Sequence, residues 1–161
     1  TSMRFSTDTG SPEPFLSRLL YHIQDFAFDC EPRCNGFTSV VLNQVSLEID
    51  ERNRLISVWG YCPYPRWHLA KLEPPRSRAA AIIVASDRLQ LAGVSVKVNA
   101  DMDYPVSYDP ATGWVVISSG VAPATSSSLS PEIVVQTDVN SDLVALWLHP
   151  RFEGGLPDPT R

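Results

Sequence analysis

Long apolar runs are missing from this chain, and no stretch approaches the ~20 residues that a bilayer-spanning helix needs. The start, Thr1-Ser2-Met3-Arg4-Phe5-Ser6, lacks the apolar segment of a secretory leader. Thr1-Ser2 ahead of Met3 reads as a remnant of cloning, which makes Met3 the expected native start. Cysteine is sparse too. Three Cys, an odd number, build no disulfide framework, and with the missing leader they predict a cytosolic protein. Basic charge is short: 13 Lys and Arg stand against 18 Asp and Glu, a net charge of −5. Neutralising phosphates requires a basic stripe, so nucleic acid and an anionic membrane surface are not expected partners. Mild acidity suits solubility or a basic protein partner.

Catalytic signatures are lacking as well. There is no Gly-x-Ser-x-Gly elbow. Gly113, Gly120, Gly154 and Gly155 fall in turns or the tail, so no glycine-rich loop is placed to cradle a phosphate. The three histidines, His22, His68 and His149, are scattered, with no arrangement that suggests a triad or a metal trio. The reading therefore leans away from an enzyme, and no cofactor is expected.

What is present is a succession of β-forming runs joined by short polar turns. Four strand–turn–strand units are predicted: 40–50 with 55–61, 79–86 with 94–99, 104–108 with 114–118, and 132–138 with 143–149. Most of the 14 prolines sit between these runs, where they cost no ladder hydrogen bonds. In 40–50, Val41, Val45, Leu47 and Ile49 share one face, and Asn43 is the one polar residue on it. Residues 79–86 are nearly all apolar, as in a strand covered on both faces. Residues 68–72 suggest a short edge strand, and the Ser-rich stretch 119–131 reads as a loop.

Near the N-terminus, Ser11 can cap a helix that Pro12 opens. Leu16, Leu19, Leu20, Ile23, Phe26 and Ala27 then recur at helical spacing, predicting an amphipathic helix over 12–26. The expected fold is thus one mainly β domain over 11–150, with loosely held tails at 1–10 and 151–161. Its form is an antiparallel β-sandwich or partly closed barrel of about eight strands with one N-terminal amphipathic helix. The expected core comprises the helix face with Val45, Leu47, Ile49, Val58, Ile82, Val84, Val96, Val116, Val134, Leu146 and Leu148.

Three groups of residues bear on chemistry. Cys30, Cys34, Cys62 and His68 supply four zinc-compatible ligands, but Cys-x3-Cys is a loose spacing and buried cysteines commonly serve as small hydrophobes. Asp101, Asp103 and Asp109 flank a turn, where carboxylates either do acid–base work or cap backbone donors. The most unusual segment is 61–68, where Tyr61, Tyr64, Arg66, Trp67 and His68 lie on a stretch stiffened by Pro63 and Pro65. Aromatic area with a directional guanidinium is the composition of a partner-binding surface, and this reading expects Tyr64, Arg66 and Trp67 to be exposed. The competing reading has Tyr61 and Trp67 closing the end of the core.

The function expected is that of a non-catalytic cytosolic protein-binding module, analogous in size and charge to inhibitors and immunity factors. The alternative is a small β-barrel that binds an apolar small molecule and steers its cyclisation or isomerisation. Trp59, Tyr61, Tyr104, Tyr108 and Trp114 would line its cavity. A third reading is a subunit of a larger assembly that offers an exposed strand edge.

Overall fold

A computed structural model describes residues 3–8, 17–86, 95–99 and 101–160. The chain runs through β1 (Arg4–Asp8), β2 (Arg18–His22), β3 (Ala27–Glu31), β4 (Thr38–Leu42), β5 (Val45–Ile49), β6 (Leu55–Tyr61), β7 (His68–Leu69) and β8 (Arg78–Ala79). It continues through β9 (Ala81–Ala85), β10 (Ser95–Lys97), β11 (Val106–Tyr108), β12 (Val115–Ser118), β13 (Thr125–Ser130), β14 (Ile133–Thr137), β15 (Leu143–Leu148) and β16 (Arg151–Glu153). These form three open sheets, in the orders β10-β4-β5-β6-β3-β2-β16, β7-β11-β12-β15-β14-β13-β8 and β1-β9. The chain is mainly β, as expected, and most pairings are antiparallel.

The predicted N-terminal helix is a correction. Residues 12–16 lie outside the described residues, but Arg18–His22 and Ala27–Glu31 form an antiparallel hairpin, with Tyr21 opposite Phe28. Phe26 turns the chain at φ 54°, outside helical space. Leu19, Leu20 and Tyr21 are all buried. A strand covered on both faces gives a run of apolar residues that periodicity does not separate from a helix.

Two of the four predicted units pair as expected: β11 with β12, and β14 with β15. The unit 40–50 with 55–61 contains an extra reversal, because residues 40–50 hold two strands. β4 and β5 pair from Leu42↔Val45 outward, and β5 pairs with β6. Asn43 makes the turn at φ 56°, a conformation that Asn tolerates better than most residues. The unit 79–86 with 94–99 does not form. β9 pairs with β1, and β10 lies parallel to β4. Both stretches read as loose tails contain strands, β1 and β16, and the expected loop 119–131 contains β13. The edge strand at 68–72 is present as β7, alongside β11.

One buried cluster draws on all three sheets: Leu47, Ile49 and Val58 from the first, Ile117, Leu146 and Leu148 from the second, and Phe5, Ile82 and Val84 from the third. Val96 packs against this cluster. Val116 and Val134 are buried apart from it, on either side of Trp147 in adjacent strands.

The connection at 70–77 has an unusual task. It joins β7 and β8, which lie at opposite edges of the second sheet. Near its start the connection still follows β11: Ala70 N–H donates to the Tyr108 carbonyl and Leu72 N–H to the Asp109 carboxylate, both at 3.0 Å.

Candidate functional site

The segment 61–68 leaves β6 and is shaped by its prolines. Pro63 precedes a single 3-10 turn at Tyr64–Arg66, in which Pro65 supplies a preset φ. The turn is fixed from below by Tyr21 on β2. Its hydroxyl donates to the Cys62 carbonyl at 2.6 Å and accepts the Tyr64 N–H at 3.1 Å. Burial is the main reason that the Tyr21 hydroxyl titrates far above its ordinary range, so it stays protonated and keeps both bonds.

Trp67 follows the turn and points inward. It is 4% exposed and meets Tyr21 at 4.8 Å, Tyr108 at 5.5 Å and Phe28 at 6.1 Å between ring centroids. Each such ring pair adds about 0.5–1.5 kcal/mol beyond its buried area. The Trp67 indole N–H is buried with no oxygen or nitrogen acceptor, and its neighbour is the Cys62 sulfur. Burial pushes the Cys62 thiol up to about 12, with the Trp67 N–H pulling the other way and the Asp103 charge adding to the rise.

The facing wall comes from 101–106 and is held by the β4–β5 turn. The Asn43 side chain donates to the Tyr104 carbonyl at 2.9 Å and accepts the Tyr104 N–H at 2.9 Å and the Asn99 amide at 2.8 Å. The Asn43 N–H in turn donates to the Asn99 Oδ1 at 3.0 Å. Next to this turn, Gly60 has φ 137°, and a Cβ there would lie 2.5 Å from the Gln44 carbonyl. Only glycine lets β6 approach the turn so closely.

Between the two walls lies an open pocket of about 260 Å³. Tyr61, Arg66, Trp67 and His68 line it from one side, and Asp103 and Tyr104 from the other. Arg66, His68 and Asp103 are exposed. Among the described residues, neither Arg66 nor Asp103 takes part in any of the side-chain hydrogen bonds or ion pairs, which include Arg18–Glu132, Arg33–Asp29 and Arg151–Glu153.

Four of the five residues predicted for the site thus meet at one pocket. The expectation that Tyr64, Arg66 and Trp67 would be exposed is corrected in part: Arg66 is exposed, Tyr64 is half-buried against Phe26 and Trp67, and Trp67 belongs to the core. Its large aromatic area is used to close the sheet end.

The other candidate groups separate. Cys30 is buried and its Sγ donates to the Val58 carbonyl at 3.3 Å, Cys34 is exposed, and Cys62 is in the core. Among the described residues no three His, Cys, Asp or Glu side chains gather as a metal site. The Asp109 carboxylate accepts the N–H groups of Leu72 and Ala111 at 3.0 and 2.9 Å, which holds it below the ordinary carboxylate range. This is a structural role. The five aromatics expected around a barrel cavity do not surround one space. Tyr61 and Tyr104 line the pocket, Tyr108 is in the core, Trp59 lies under the Arg33 guanidinium at 5.1 Å, and Trp114 stacks on His149.

Sequence reasoning named Asp103 as a candidate carboxylate and Tyr104 as a cavity aromatic but did not bring them, or Asn43, to the 61–68 segment. Asn43, the polar residue on an otherwise apolar face, was the signal for the turn that holds this wall. No protein-family model matches the chain, and no curated protein matches it in sequence.

Proposed function

We propose that this protein is a non-catalytic cytosolic binding module that recognises another protein with the mouth of the pocket between 61–68 and 101–106. On this reading the two seven-stranded sheets pack as a sandwich, and loops at one end carry the site. The observation that supports it best is convergence: Tyr61, Arg66 and His68, singled out for their chemistry, gather at one opening whose walls are already fixed by buried hydrogen bonds. Walls that are ordered before binding reduce the entropy lost on association.

The surroundings suit a protein surface. Tyr61 is 42% exposed, and Leu69 and Met102, neighbours in sequence of the lining residues His68 and Asp103, are 49% and 76% exposed. Apolar area of this kind beside an unpaired guanidinium is what energetically dominant interface residues provide.

The test is affinity capture of the tagged protein from a lysate, with the Tyr61→Ala/Arg66→Ala double variant as the matched control. A stoichiometric protein retained by the wild type and lost from the variant is expected. A partner held equally by both, or no stoichiometric partner at all, goes against the reading. Trp67 is left unchanged because its removal would open the core.

A further inference from the structure

We propose that the interior of this pocket binds a small zwitterion, a carboxylate and an ammonium carried on one compact apolar body, as in a free apolar α-amino acid or dipeptide. This concerns the pocket interior, which shares Arg66 with the rim but does not need a protein bound there.

The argument begins with charge. Arg66 comes from the 3-10 turn and Asp103 from the facing loop, and both line the same pocket. They come from separate segments and make no ion pair with each other or with any other described residue. An occupant without charge would engage neither group. An occupant with one charge would engage one of the two groups and leave the other to water. A zwitterion answers both: its carboxylate takes the Arg66 guanidinium, which presents a fork of N–H donors, and its ammonium donates to Asp103.

The rest of the lining fits the apolar body. Trp67, Tyr104, Pro105 and Val106 supply ring and aliphatic surface. At about 260 Å³ the space falls just short of the ~300–1,000 Å³ that enclose drug-sized ligands, so the occupant is smaller than these. Tyr21 anchors the backbone of the segment that carries Arg66, and Asn43 that of the segment that carries Asp103. Cys62, the one thiol that lines the pocket, stays neutral at physiological pH because burial pushes it up to about 12. The ligand is therefore held and not attacked by it.

The experiment is an NMR titration of the 15N-labelled protein with L-phenylalanine and with leucyl-leucine, following the backbone amides of Tyr61, His68 and Tyr104. Saturable shifts at these amides are expected with at least one of the two. The tighter ligand is then blocked at the amine by acetylation or at the acid by amidation. Each block should weaken binding about 10-fold, the low end for a hydrogen bond to a charged group. In Arg66→Gln the free and amidated forms should bind alike, and in Asp103→Asn the free and acetylated forms should. Both variants change exposed side chains, and unshifted core resonances report that they fold. The proposal is overturned if neither zwitterion shifts these amides at millimolar concentration, if the shifts lie elsewhere, or if the blocked forms bind as well as the free ones.

Discussion

The Tyr21 ring is fully buried, yet its hydroxyl makes two hydrogen bonds to the backbone of the 62–64 stretch. Removing that one oxygen leaves a carbonyl and an N–H without partners. Tyr21→Phe should therefore lower stability by about 1–3 kcal/mol in urea unfolding, and amide exchange should quicken at Tyr64. Asn43 carries a comparable duty for the other wall, with a second constraint in its backbone. Asn43→Gly keeps the turn at φ 56° but loses the three side-chain bonds to Tyr104 and Asn99, for a cost of about 2 kcal/mol. Asn43→Ala loses the same bonds and adds about 1 kcal/mol of left-handed strain. The expected order of melting temperature is wild type, then Gly, then Ala. Equal values for Gly and Ala would remove backbone strain from this account. Asn43 was also the most informative residue that sequence reasoning saw and did not use. A polar side chain on an apolar face signals either a functional group or a break in the strand, and here it marks the break.

At the scale of elements, what the sequence made legible was local. Hairpins such as β14–β15 couple residues a few positions apart and carry alternation and turn residues that can be read directly. β13 was read as a loop because its serines carry little apolar signal, although Ser127 is 4% exposed and its strand pairs along β14. The connection 70–77 shows its task only when the ends it must join are known. The tie at Asp109 adds a pH dependence. Backbone donors, Leu72 first, hold this carboxylate below its ordinary 3.8. A group depressed in the folded state stabilises above its unfolded value and loses that contribution as pH falls through the folded one. Asp109→Asn should then be less stable than wild type at neutral pH. The gap should narrow as the pH drops below 3.8, as read by urea unfolding at each pH.

Across the whole molecule, the pairings that give the chain its shape are distant in sequence. β1 meets β9, β10 runs parallel to β4, and β16 runs parallel to β2. No local pattern encodes such contacts, because each strand's alternation states only which face is apolar and not which neighbour it takes. The site divides in the same way: its near wall was visible as composition in 61–68, while its far wall arrives through a contact between Asn43 and Tyr104, 61 positions apart. These distant pairings feed one core, with Phe5, Cys30, Cys62, Trp67 and Leu146 in the same cluster. No sheet can then open without exposing the others, and unfolding should be a single cooperative transition. The thiols provide the check. In the native protein a thiol reagent should titrate one cysteine, the exposed Cys34, and in denaturant all three. Cys30 and Cys62 should become reactive at the same urea concentration at which far-UV dichroism and tryptophan fluorescence change. If Cys62 reacted at lower urea than Cys30, the 61–68 segment would be opening on its own, and the pocket could not owe its fixed walls to the common core.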